Sequence, residues 1–219
     1  EAVGDLFGYF SELIERRRRE PGDDTISQLV ATGGDDPEVP LIRILGFAFT
    51  MVAGGNDTTT GLLGGAAELL TAHPDQRRLL REDPRLVPDA VDELLRLTSP
   101  VQGFARTATT DVTLHGATIP AGRKVMLLYA AANRDPREFG ADAERPNVRR
   151  APRQILTFSF GAHFCLGAAA ARLQGRIVLE ELLARCPDFA VDAARGVFAP
   201  GSFVRRYESL PFDPGGARW

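Results

Sequence analysis

Phe158, Gly161, His163, Cys165 and Gly167 stand in the spacing F-x-x-G-x-H-x-C-x-G. The chain has only 2 cysteines, so placing one in this glycine-broken loop asks for a reason. An apolar run from Leu166 to about Ala184 reads as a helix, and its N-terminus would favour a thiolate at Cys165. Gly161 lets the loop take a conformation closed to other residues, and Gly167 lets a flat, bulky ligand approach the backbone. A lone cysteine in apolar surroundings is more often an inert buried thiol, which is the reading for Cys186 beside Pro187. Zinc asks for about four close ligands. Only His163 is near Cys165, whereas His73, His115 and Cys186 are scattered. One thiolate with an open opposite face suits a haem iron instead.

The elements that must position this loop are mostly helical. Residues 2–19 read as an amphipathic helix whose last turn, Arg16 to Arg19, is a solvated basic end. Pro21 to Asp24 break it, Thr25 to Ala31 form a short helix, and Gly33 to Pro37 a loop. The run from Val39 to about Ala72 is apolar nearly all round, so a long, largely buried helix is expected. Pro74 opens a helix to residue 82, and Val87 to Leu97 form another that stops before Ser99-Pro100. Residues 101–129 alternate and carry Gly/Pro turns, as short strands do. Residues 133–157 are rich in proline and arginine with weak periodicity, and the tail from Pro187 reads as short strands and loops.

Four motifs in order resemble the cytochrome P450 superfamily. The Cys165 loop, continued by Ala171-Arg172, is similar to its haem-ligand loop. "GGNDTT", Gly54 to Thr59, resembles the oxygen-activation motif of its long central helix. "ELLR", Glu93 to Arg96, resembles its E-x-x-R pair, and "NRDP", Asn133 to Pro136, the segment before its meander. Two departures stand out. Ser159 occupies a position where the family often has glycine, and "RPNVRR" replaces the usual Phe-Asp pair, leaving Arg150 rather than Arg149 to complete a Glu-Arg-Arg cluster.

The resemblance implies a mainly α fold with small β-sheets, the C-terminal portion of the family's architecture, with residues 1–219 forming its haem-binding part and an N-terminal half absent. It implies haem b, iron protoporphyrin IX, held by Cys165 as axial ligand, with Phe158 packed near the sulfur and His163 and Arg106 on the propionates. Gly54 and Gly55 would leave room for O2. The Thr58 hydroxyl would compete for the Gly54 carbonyl and open the helix locally, and Asp57 would relay protons. Glu93, Arg96 and Arg150 would be structural. Val52, Ala53, Val101, Gln102, Gly103, Phe104 and Phe203 map near the family's substrate-recognition segments, and their apolar bias suggests a hydrophobic small molecule. The activity implied is insertion of one oxygen atom from O2, with electrons from a ferredoxin or flavodoxin-type donor. The alternative is a truncated, non-catalytic remnant serving as an assembly module.

Composition bounds what else the chain does. Hydrophobic residues at 44% and charged residues at 25% describe a globular domain, and a net charge of -3 gives no basic field for nucleic acid. No apolar run reaches the roughly 18 residues of a membrane anchor. Sparse cysteines fit a reducing cytoplasm, where the protein is expected. Neither a G-x-S-x-G hydrolase elbow nor a G-x-x-x-x-G-K-[ST] phosphate loop is present. A chain that starts at Glu1 inside a helical pattern suggests a piece of a longer protein, and helices 39–72 and 166–184 should then carry unpaired apolar faces open to self-association.

Overall fold

The computed structural model describes residues 2–33 and 41–216. The loop expected over Gly33–Pro37 lies, past Gly33, outside the described residues. Two compact units divide the chain, residues 1–56 and 57–219.

In the first unit, α1 (Ala2–Arg19), α2 (Thr25–Gly33) and the first part of α3 (Leu41–Ala72) enclose a small core. Ile14, Ile26, Ile44, Leu45 and Ala48 are buried there, with Phe7 stacked on Phe49 at 5.8 Å. The arginines of α1 do fall in its last turn, beside the negative end of the helix dipole. Arg17 Nε meets Asp24 Oδ2 at 2.6 Å, and Asp24 Oδ1 accepts the Ser27 amide at the start of α2. That amide hydrogen bond, then Arg17, holds the Asp24 carboxyl below its usual range.

The second unit packs the remainder of α3 with α4 (Pro74–Glu82), α5 (Val87–Thr98) and α8 (Ala168–Arg185). Its core joins Leu62, Ala66 and Leu70 to Val87, Val91, Leu94 and Leu95, and to Leu179 and Leu183. The α5 apolar residues recur at helical spacing, Asp89 suits its first turn, and Ser99 ends it in the left-handed region at φ 36, with Pro100 blocking continuation. Where α8 crosses α5, a Cβ on Gly175 would lie 3.1 Å from Leu62 Cδ2 and 3.2 Å from Val91 Cγ1, so glycine sets the closeness of that crossing.

Between α5 and α8 run β1 (Phe104–Thr107), β2 (Val112–Leu114), β3 (Ala117–Ile119) and β4 (Lys124–Leu127), then the short helices α6 (Tyr129–Ala132) and α7 (Pro136–Phe139). After α8 come β5 (Ala190–Val191), β6 (Val197–Phe198), β7 (Tyr207–Ser209) and β8 (Phe212–Asp213). All pair in antiparallel twos: β1 with β4, β2 with β3, β5 with β8 and β6 with β7. An isolated bridge, Val101 to Val204, ties the segment after α5 to the C-terminal hairpin.

Two expectations are corrected. α3 is not buried all round: residues 50–56 are exposed, and so is Ile42. The helix is buried only where it faces one of the two cores, through Ile44, Leu45 and Ala48 or through Leu62, Ala66 and Leu70. And α8 begins at Ala168 rather than Leu166, because Cys165 to Gly167 form a turn in which the Ala168 amide donates to the Cys165 carbonyl at 3.3 Å.

Candidate active site

The Cys165 loop is closed by backbone before any ligand enters. The Cys165 amide donates to the Phe158 carbonyl at 2.9 Å, and the Ser159 amide to Leu156 at 2.9 Å. Two residues inside the closure, Ser159 at φ 62 and Gly161 at φ 68, are left-handed. Glycine takes that conformation freely, whereas a Cβ makes it unfavourable. Ser159 is held in it by a hydrogen bond of 3.0 Å between its Oγ and the Tyr129 hydroxyl. A 3-10 turn, Gly161–His163, lifts His163 to the surface. Cys165 is exposed, and around it Phe160 is 72% exposed, Phe164 54% and Leu166 67%. A Cβ on Gly167 would stand 3.9 Å from Sγ, and one on Gly161 would meet nothing within 4 Å.

Beneath this rim Phe158 is buried, 6.3 Å from the Phe164 ring and 4.6 Å from the Arg172 guanidinium, which Asp92 anchors at 2.7 Å. Phe158 therefore supports the loop from below. Arg106, on β1, is half-buried and, among the described residues, donates only to the neighbouring Ala105 carbonyl at 3.0 Å. Neither Arg106 nor His163 has an acidic partner among the described residues. Those residues also hold no group of three or more His, Cys, Asp or Glu arranged to bind a metal. A single outward thiol ringed by exposed apolar side chains suits a flat, apolar group that brings its own remaining ligands, and the loop fits haem in that respect.

The Glu-x-x-Arg pair is wholly buried. Arg96 Nε and Nη2 donate to the two Glu93 oxygens at 2.7 and 2.8 Å, a bidentate pair. Arg96 Nη1 donates to the carbonyls of Asn133 and Ala143, both at 2.6 Å, and the guanidinium lies 4.7 Å over Phe139. Glu93 Oε1 also accepts from the Asn147 amide at 3.0 Å and from Arg150 Nε at 3.1 Å. Arg150 continues to Asp142 at 2.9 Å and holds that carboxyl below its usual range. Asn133 adds a second hub, donating to Ser99 Oγ and Thr157 Oγ1 and accepting from the Leu156 amide. Helix α5 is thereby cross-tied to residues 133–157, the stretch that leads into the Cys165 loop.

On α3, Gly54 and Gly55 lie in the exposed middle with Val52 and Ala53. Asp57 follows and meets Arg206 Nε at 3.1 Å, and Thr59 Oγ1 donates to Gln174 on α8 at 3.3 Å. Val101 to Phe104 and Phe203 are brought together: Phe104 stands edge-on to Phe203 at 5.0 Å and beside Tyr129 at 6.1 Å. The Gln102 carbonyl accepts the Ala130 amide, and the carbonyl of Leu127 would lie 2.5 Å from a Cβ on Gly103. Sequence reasoning missed the Asp57–Arg206 pair, the Asp92–Arg172 anchor and the Tyr129–Ser159 bond. Each joins residues too far apart for any periodicity to link them.

Comparison with known proteins agrees with the motif order. The family model for cytochrome P450 matches residues 1–192. Cytochrome P450 130 of Mycobacterium tuberculosis is 62% identical over 214 residues, covering 97% of this chain and 53% of that protein. Vitamin D(3) 25-hydroxylase of Pseudonocardia autotrophica is 40% identical, covering 98% of this chain and 54% of that protein. Among solved structures, cytochrome P450 CYP109Q5 from Chondromyces apiculatus superposes with a TM-score of 0.89 at 40% identity, over 98% of this chain and 54% of that one. The chain spans about half the length of the curated relatives it matches.

Proposed function

The chain belongs to the cytochrome P450 family, and on that footing we propose that it is the C-terminal, haem-holding half of a cytoplasmic haem-thiolate monooxygenase. The observation that carries this reading is the exposed Cys165 thiol in a backbone-closed loop with an apolar rim. Cys165 Sγ would ligate the iron of haem b, with Gly161 and Gly167 clearing its approach and Phe158 excluding water from below. Arg106 and His163, both without acidic partners among the described residues, would donate hydrogen bonds to the propionates. Bound there, haem supplies the redox chemistry that divides O2 between a substrate oxygen and water.

The remaining roles belong to the protein. Gly54 and Gly55 leave α3 without side chains where O2 would lie. Asp57, half-exposed, takes protons from solvent at its carboxylate, and the adjacent Thr58 hydroxyl passes them inward. Val101, Gln102, Gly103, Phe104 and Phe203 would offer a wall to a hydrophobic small molecule, Val52 and Ala53 on α3 would be substrate-facing, and a ferredoxin or flavodoxin-type protein would be the electron donor. Glu93, Arg96 and Arg150 hold the frame and touch no substrate.

Exposed Leu173, Ile177 and Val178 on α8 mark a face that a longer chain would cover. Taken alone, this chain should bind a hydrophobic dye or self-associate, and a dye-silent monomer would contradict the half-protein reading. For the site itself, the test is the ferrous carbon-monoxide difference spectrum of the full-length, haem-loaded protein. A thiolate-type Soret band is expected, absent in Cys165→Ala and kept in Cys186→Ala. A band that survives Cys165→Ala would falsify the ligand assignment.

A further inference from the structure

Two adjacent arginines of the C-terminal hairpin reach α3 in opposite directions. Arg205 Nη2 lies 3.7 Å from Glu68 Oε2, and Arg206 Nε lies 3.1 Å from Asp57 Oδ1. On a helix those two acids are about three turns apart. Between them, two glycines let the hairpin settle directly on the helix. A Cβ on Gly61 would stand 2.6 Å from the Arg205 carbonyl, and one on Gly64 would stand 3.3 Å from the Tyr207 ring. The Arg205 amide donates to the Pro100 carbonyl at 2.7 Å, and Val204 bridges Val101. The hairpin's placement is thus set by backbone contact, which the Arg205 amide and carbonyl share whatever the side chain.

Arg206 is not needed for that placement. Its pair with Asp57 is half in solvent, the two side chains being 28% and 51% exposed, and such pairs add little stability. What it does determine is direction. A helical aspartate has several staggered rotamers open to it, and a guanidinium reaching in from the hairpin at 3.1 Å favours the one whose carboxylate faces the hairpin. We propose that Arg206 is a positioning residue for Asp57, aiming the carboxylate beside Thr58 from the position just before β7, far away in sequence. This rests on the reading of Asp57 as the proton-relay group.

The test uses the full-length, haem-loaded protein with no substrate added, reduced by NADPH through a plant ferredoxin and its reductase. Oxygen consumption and its solvent deuterium isotope effect are measured beside amide hydrogen exchange over Tyr207–Ser209. Asp57→Asn is expected to slow oxygen consumption at least about tenfold. Arg206→Gln is expected to slow it about threefold and raise the isotope effect, as a displaced relay group does. Arg206→Lys should restore most of the rate. Arg205→Gln, which leaves the Asp57 pair in place, should keep the wild-type isotope effect. Exchange at Tyr207–Ser209 should quicken slightly and equally in Asp57→Asn and Arg206→Gln.

An unchanged Asp57→Asn rate overturns the relay reading and this inference with it. A slow Asp57→Asn beside an unchanged Arg206→Gln overturns the inference alone. So does an Arg205→Gln variant that matches Arg206→Gln in isotope effect, because the effect would then be a general loosening of the hairpin.

Discussion

The Glu93–Arg96–Arg150 cluster and the Cys165 loop sit on adjoining stretches of one chain and are finished to opposite degrees. In the cluster, both Glu93 oxygens and every nitrogen of Arg96 have partners, and neither side chain is exposed. In the loop, the backbone is closed by its own hydrogen bonds, but Cys165, Phe160, Phe164 and Leu166 face outward. The first region is complete within these residues. The second is shaped to be completed by something else. Burial with full hydrogen bonding therefore marks the frame, and exposure on a rigid backbone marks the site.

The sharpest way to break this contrast is to truncate the closed region. Arg96→Met leaves Glu93 as a buried, half-paired carboxylate, which should cost about 3–5 kcal/mol or abolish soluble folding. Replacing both partners by apolar residues of similar volume should recover much of that loss in a denaturant titration. Equal loss in the double variant would mean that the cluster's worth lies elsewhere.

Tyr207 gives a second probe of the closed interior. Burial, with the hydroxyl donating a hydrogen bond to the Glu68 carboxylate, pushes it up to about 12 from 10.0. A raised pKa means that the folded state keeps the proton longer than the unfolded chain. Its contribution is full below about pH 10 and lost as pH rises toward 12, about 2–3 kcal/mol in all. Chemical denaturation across that window should show the decline, and Tyr207→Phe should flatten it.

On the loop, effects on stability should be smaller. Ser159→Ala keeps a Cβ at φ 62 but removes the bond to Tyr129, and should lower stability by about 1 kcal/mol. Ser159→Gly loses the same bond but relieves the left-handed strain, and should come closer to wild type in melting temperature. Smallest is Cys165→Ala, expected to shift the stability of the unloaded protein by less than about 0.5 kcal/mol because its thiol is exposed. A large destabilisation there would show that the thiol is part of the frame.

Much of this protein was legible one residue at a time. The long helix, α5 with its proline stop, the hairpin strands and the Cys165 loop follow from apolar spacing, glycines and prolines acting within a few residues. Motif order pointed to the family, and Glu93 and Arg96 sit close enough on one helix face for their pairing to be foreseen. Tertiary structure decided what spacing does not encode. It placed Arg206 on Asp57, Tyr129 on Ser159 and Asp92 on Arg172. Within this chain the middle of α3 is exposed despite an apolar sequence. The reason is physical: local sequence sets which backbone conformations are cheap, whereas a side chain's partner depends on which distant surfaces fold against it.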